Sequence, residues 1–248
     1  MNQQLASGYH YGDLEVTSVF ETIQGEGPFT GMSALFIRLA GCTLQCRWCD
    51  TDYRHLDTMT VDECFQQVRV SNKSLVVVTG GEPYRQSQVL ILMHKILAET
   101  DKTVQVETSG SAWPLFTRDA DKIEVLNQFV NSGNWSMLLD ELHKRWINVC
   151  SPKTSQIRMS RELVTYWKYV LEAGGVGEDG LPVRSPLNSR ILTLARPPLH
   201  LKPSDIYVSP CWNDDALKYR DNVDATLKSV MQHGFRLNLQ THKWVGIP

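Results

Sequence analysis

The chain has 248 residues, 42 % apolar and 21 % charged, with a formal net charge of −2. That is enough for one large domain or two small ones around a sizeable core. With no long basic block a nucleic-acid surface is not indicated, and no apolar run approaches the ~20 residues of a membrane span. The polar N-terminal stretch lacks the charged-then-apolar order of a secretory signal, so a cytoplasmic location is expected. In that reducing setting the six cysteines read as metal ligands or core residues rather than disulfides.

Residues 34–39 (ALFIRL) predict a strand that runs into a turn at Gly41–Cys42. Residues 60–70 predict a helix: Thr60 and Glu63 have capping-box spacing, and Val61, Cys64, Phe65 and Val68 fall on one face. The β-branched run 75–79 (LVVVT) predicts a buried strand that stops at Gly80–Gly81. A helix follows at 88–99, with Val89, Met93, Ile96 and Leu97 on one side, then an alternating strand at 103–108 (TVQVET). Residues 146–150 predict a strand ending at Ser151–Pro152. Residues 167–171 allow helical spacing, but their aromatic and β-branched content and the Gly174–Gly175 stop favour a strand. The chain then predicts a strand at 206–209 ending in Pro210, a helix at 215–233 stopped by Gly234, and a last strand at 235–240.

Strands alternating with helices imply parallel βα units, here read as a single α/β domain. Two stretches, 114–144 and 174–204, break the rhythm and read as partly mobile insertions. Polar or glycine-containing motifs follow five strands, at Gly41, Gly80, Ser109–Gly110, Ser151 and Ser209. In α/β barrels such loops build the site at the C-terminal face, so all five are expected at one mouth.

The densest chemical signal is Cys42, Cys46 and Cys49, in C-x3-C-x2-C spacing directly after a strand. Thiolates are the natural ligands of iron–sulfur clusters, and three of them on a four-iron cube leave one iron open to an exchangeable ligand. A zinc site completed by His55 is the bland alternative. Zinc sites usually draw paired cysteines from two separated knuckles, and the sequence has no second pair. Cys64 reads as a core residue on a helix face, and Cys150 and Cys211 sit at strand ends facing the expected mouth.

This loop, with Trp48 before its last cysteine, resembles the signature of the radical S-adenosylmethionine (radical SAM) superfamily. The resemblance implies a [4Fe–4S] cluster and S-adenosylmethionine cleaved to a 5′-deoxyadenosyl radical. Gly80-Gly81-Glu82-Pro83 is similar to the superfamily motif that holds the methionine amino group. Glycines permit close backbone approach, and a carboxylate pairs with an ammonium.

The flanks narrow the resemblance. Residues 21–27 (ETIQGEG), Arg38, Thr51 and the ending from 239 to Pro248 resemble the 7-carboxy-7-deazaguanine synthase family. The match is strong at 16–53, 75–83, 103–110, 146–153 and 235–248, and weak over both insertions. It implies a radical-type incomplete barrel that contracts 6-carboxy-5,6,7,8-tetrahydropterin to 7-carboxy-7-deazaguanine with loss of ammonia, in queuosine and 7-deazapurine biosynthesis. It further implies Mg2+ at Thr51 and S-adenosylmethionine held by Trp48, Cys49, Asp50, Gly81, Glu82, Ser151, Pro152 and Lys153. The substrate would lie against Ile23, Gln24, Gly25, Glu26, Arg38, Thr79, His242 and Pro248. No acid or base is assigned, and the role of 107–110 (ETSG) stays open. A flavodoxin- or ferredoxin-like reductant and a homodimer are implied. Two rivals keep the scaffold and change the role: a glycyl-radical-enzyme activase, and a regulatory protein using the insertions as a partner surface.

Overall fold

The computed structural model describes residues 13–47, 49, 51, 57–113, 144–187 and 193–248. Nine strands form one sheet in the order β3-β1-β2-β4-β5-β6-β7-β8-β9. They are β1 Leu14–Ile23, β2 Ser33–Leu39, β3 Asp57–Met59, β4 Leu75–Gly80, β5 Thr103–Thr108, β6 Trp146–Cys150, β7 Tyr166–Leu171, β8 Ile206–Pro210 and β9 Arg236–Leu237. From β2 to β9 every neighbouring pair is parallel, whereas β1 runs antiparallel to β2 and β3 antiparallel to β1. The sheet ends in two different edge strands, β3 and β9, so the barrel is open, as the family resemblance implied.

Alternation along the strands divides the sheet into two faces. Leu35, Ile37, Val76, Val78, Val104, Val106, Trp167, Tyr169 and Val208 point to the main core. They pack there under α1 (Val61–Val70) and α2 (Gln88–Glu99). α1 begins at the expected capping box: the Thr60 side chain accepts from the Glu63 backbone, and the Glu63 carboxylate accepts from the Thr60 backbone. The other face carries Ala34, Leu75 and Val77 low in the sheet, with Phe29 and Phe36 beside them. By the same parity it carries Arg38, Thr79, Gln105, Glu107 and Lys168. A face built from apolar residues at one end and polar ones at the other is a floor and a working mouth.

Among its described residues the crossover from β7 to β8 has no long helix. Leu181, Leu194 and Ala195 of the expected 174–204 insertion join the main core. The Tyr169 hydroxyl donates to the Ala195 carbonyl at 2.6 Å, and Ser229 donates to the Gly180 carbonyl at 2.6 Å. Ser229 belongs to α3 (Ala216–His233), whose buried residues are the small polar Asn222, Thr226 and Ser229. This helix therefore anchors the crossover by hydrogen bonds instead of an aliphatic stripe. The other expected insertion, 114–144, lies outside the described residues except for Lys144.

One expected element is much shorter than the sequence suggested. The strand at 235–240 is confined to Arg236–Leu237, and a five-residue helix, α4 (Thr241–Val245), follows at once. The Asn238 backbone amide still donates to Val208 O at 2.9 Å, while its side chain donates to Ser209 Oγ at 2.7 Å and accepts from the Gly27 amide at 2.8 Å. Ser209 is thereby used up as a structural partner and does not reach the mouth.

Candidate active site

The loop after β2 and the turn after β4 are interlocked. The Gly81 amide donates to Leu39 O at 2.9 Å, and the Glu82 amide donates to Gly41 O at 2.9 Å. A Cβ on Gly81 would stand 1.8 Å from Gly41 O, and Gly80 has φ +123° with its Cβ position 2.0 Å from Leu39 O. Only glycine allows both contacts, which is the physical content of the double-glycine motif. From below, Gln86 donates to Ala40 O at 3.2 Å, and the Arg85 guanidinium packs where a Gly41 side chain would be. Arg85 also pairs with Glu15, so β1 braces the start of the cysteine loop.

Glu82 is fully buried. Its carboxylate accepts from Thr108 Oγ1 at 2.6 Å, the Ser109 amide at 3.0 Å, Ser109 Oγ and the Tyr84 amide. Ser109 Oγ continues to Ser111 Oγ at 2.7 Å, and Ser111 Oγ to Thr43 Oγ1 at 2.8 Å. A closed hydrogen-bonded circuit thus ties the loops after β2, β4 and β5. Burial raises the Glu82 carboxyl against the pull of these donors.

Cys42, Cys46 and Cys49 share the wall of one open cavity of about 1030 Å³ with Thr51, Thr79, Gly81, Ser151 and Lys153. All six cysteines of the chain are free thiols. Burial pushes the Cys42 thiol up to about 12 and raises Cys46 as well, the latter opposed by the nearby Lys153 ammonium. Three thiolates on one cavity wall are a ligand set that suits an iron–sulfur cluster.

Deeper in the same cavity lies a charged triad. Lys168 Nζ sits 2.5 Å from Glu26 Oε2 and 2.7 Å from Glu107 Oε2, with side-chain exposures of 8 %, 18 % and 15 %. Gln105 Nε2 donates to the other Glu107 oxygen at 2.5 Å. Burial disfavours the Glu26 charge, but Lys168 outweighs it and holds that carboxyl down to about 2. For Glu107 burial wins and its carboxyl is raised, while the two carboxylates raise Lys168 despite its burial. Gln240, Lys243, Cys211 and Trp212 complete this wall.

Residues 36–143 match the radical SAM superfamily. The chain is 31 % identical over 244 residues to the 7-carboxy-7-deazaguanine synthase of Rickettsia prowazekii, covering 94 % of this chain and 88 % of that protein. It is 34 % identical over 254 residues to the enzyme of the same name from Rhodospirillum rubrum, covering 96 % and 95 %. The chain belongs to the 7-carboxy-7-deazaguanine synthase family. It is a radical SAM enzyme. Its fold is similar to that in the crystal structure of QueE from Escherichia coli, with a TM-score of 0.54 at 19 % identity over 91 % of this chain and 93 % of that one.

Of the residues expected from resemblance to this family, the cavity wall holds Glu26, Thr51, Thr79, Gly81, Ser151 and Lys153 besides the three cysteines. Pro152 lines a smaller neighbouring pocket with Ser151, Lys153 and Glu172. Gln24, Gly25 and His242 stand behind Glu26: Gln24 Oε1 accepts from the Glu26 amide at 3.2 Å, and the His242 ring packs onto Gly25. Arg38 is the register partner of Thr79 and stacks on Phe20 at 4.9 Å, away from the cavity wall. Ile23 is exposed, and Pro248 lies over β1, its carbonyl accepting from Thr22 at 3.3 Å. Trp48 and Asp50 lie outside the described residues, as does His55. Lys168 was not singled out by the family motifs, and Glu107 and Gln240, though inside matching segments, had no assigned role. One signal was available: a lysine inside the apolar run YWKYVL needs a buried acidic partner.

Proposed function

We propose that the chain is a 7-carboxy-7-deazaguanine synthase that contracts 6-carboxy-5,6,7,8-tetrahydropterin to 7-carboxy-7-deazaguanine with loss of ammonia. The observation that carries this reading is the single cavity joining three thiols to the Glu26–Lys168–Glu107 floor. Cys42, Cys46 and Cys49 would hold a [4Fe–4S] cluster with one iron left open. When bound and reduced, that cluster supplies the electron that cleaves S-adenosylmethionine to a 5′-deoxyadenosyl radical. The Gly81 backbone, Ser151, Pro152 and Lys153, with Trp48 and Asp50, hold S-adenosylmethionine. The cationic Lys153 suits its carboxylate. Glu82 acts through the loops it ties together, since its carboxylate already accepts from Thr108, Ser109 and Tyr84.

Glu26 and Glu107 offer acceptors to the N–H edge of the pterin, with Thr79 beside them and Gln24, Gly25 and His242 as backing. Thr51, on the cavity wall, would help hold a Mg2+ ion, which would supply positive charge to neutralise and orient the substrate carboxylate. Arg38 is one rung from the wall and serves the same carboxylate when the substrate is seated. A flavodoxin-like reductant and a homodimeric state complete the proposal.

The test is anaerobic turnover of the reconstituted enzyme with dithionite, S-adenosylmethionine, Mg2+ and the tetrahydropterin. Formation of 7-carboxy-7-deazaguanine, abolished in Cys46→Ala, is the expected result. Production of 5′-deoxyadenosine without any deazaguanine would overturn the substrate and bring the activase reading forward.

A further inference from the structure

We propose that Lys168 is a positioning residue that keeps Glu26 and Glu107 side by side as hydrogen-bond acceptors, and that it thereby sets the site's preference for a ligand edge that donates at both points. The inference rests on reading the cavity as a pterin site, and adds the residue that enforces its selectivity.

The geometry is specific. Glu26 comes from the loop after β1, Glu107 from β5 and Lys168 from β7, at sequence separations of 142 and 61 residues from the lysine. The strand neighbours of Lys168, Trp167 and Tyr169, face the main core, so parity directs the ammonium to the opposite face. All three charged side chains line the same cavity. A carboxylate has about four acceptor positions. Lys168 uses one on each glutamate, Gln240 one more on Glu26 and Gln105 one more on Glu107, so each carboxylate keeps further acceptor positions.

Other charged or titratable groups surround the triad. Lys153 approaches from the loop after β6, and His242 and Lys243 from the C-terminal segment, whereas Cys150 of β6 lies on the main-core face. Lys153 Nζ is directed to Ser151, at 2.6 Å from its hydroxyl and 2.8 Å from its carbonyl. Lys168 contacts both carboxylates directly.

Removing that cation leaves two like charges in a buried space, and one of them takes up a proton. A protonated carboxyl presents an O–H donor where an acceptor stood. The wall would then reject an N–H edge and tolerate a C=O edge. Lysine is therefore required for the hydrogen-bond polarity of the wall, beyond any contribution to folding.

The experiment titrates 6-carboxypterin and 6-carboxylumazine, in which a carbonyl oxygen replaces the 2-amino group, into the reconstituted protein with Mg2+ from pH 6 to 9. Wild type is expected to prefer the pterin by about 100-fold or more throughout, because a site built around a donor rejects the analogue lacking it. Lys168→Met should bind the pterin about 10- to 100-fold more weakly at pH 6. Its preference over the lumazine should collapse there and recover in part as the pH rises and the shared proton leaves. Lys168→Arg should retain the preference. If Lys168→Met does not fold, as judged by circular dichroism, Lys168→Gln gives the same comparison with a polar but uncharged side chain. Equal weakening of both ligands at every pH would overturn the proposal and leave Lys168 a purely structural residue. Failure of the wild type to bind the pterin, or to discriminate, would overturn the underlying substrate reading and this inference with it.

Discussion

At the scale of single residues the site depends on a few positions where no other side chain fits. Gly81 is the clearest, because the atom that a side chain would meet is the Gly41 carbonyl, 1.8 Å away and part of the backbone. Gly41 cannot yield without moving Cys42. We expect Gly81→Ala to fold, to take up iron and sulfide poorly, and to cleave S-adenosylmethionine about 100-fold more slowly, since a 1 Å displacement has that order of effect on catalysis. Iron content, visible absorbance and 5′-deoxyadenosine production check this, and a normally loaded, active variant would rule the interlock out as essential. The cysteine spacing and the double glycine were legible in the sequence because each is a contiguous run with its own local chemistry. The floor was not. Glu26, Glu107 and Lys168 meet only because the loop after β1 crosses the concave face to β7, and no local pattern records that meeting.

At the scale of elements, legibility followed the strength of local signals. α2 has the expected bounds, and α3 begins one residue after its expected start, with Asp215 as its N-cap. The Asp215 side chain accepts from the Leu217 and Lys218 amides at 3.0 and 3.3 Å, and Gly234 closes the helix at φ +73°. Asp215→Ala is expected to lower stability by about 1 kcal/mol. Its urea midpoint should fall with an unchanged denaturant slope, and product formation should be retained because the cap lies outside the cavity wall. An unchanged midpoint would mean that tertiary contacts alone fix the start of α3. β1 was not expected as a strand. Most of it is only half-buried, against β2 on one side and the three-residue β3 on the other, so its sequence has little of the apolar continuity of β4. The last strand was overlong for the opposite reason: 235–240 alternates well, but after the Asn238 amide bonds Val208 O its side chain ties Gly27 and Ser209, and the chain turns into α4 at Thr241.

For the whole molecule, the open sheet leaves a concave face to be closed by chain segments far apart in sequence. The loop after β1 lies across that face, where a Cβ on Gly27 would touch Gln105 and Val149. The C-terminal segment fastens it there. The Gly27 amide donates to Asn238 Oδ1 across 211 residues, and the Thr241 amide and hydroxyl both reach Gly25 O. This clasp holds Glu26 against Lys168 from outside the cysteine loop. Asn238→Ala would leave the buried Gly27 N–H without its acceptor and Ser209 without its donor. That should cost about 1–3 kcal/mol of stability. The effect on catalysis should be selective. The Michaelis constant for the tetrahydropterin should rise as Glu26 loses its support, while iron content and the slow cleavage of S-adenosylmethionine without substrate should be maintained. Those properties depend on the circuit of Gly41, Gly81, Glu82 and Ser109, which shares no hydrogen bond with Asn238. Steady-state kinetics in the tetrahydropterin, set beside substrate-free 5′-deoxyadenosine formation, separate the two halves of the cavity. Parallel loss of both activities would mean that the clasp and the cysteine loop respond as one unit, and that the floor has no independent support.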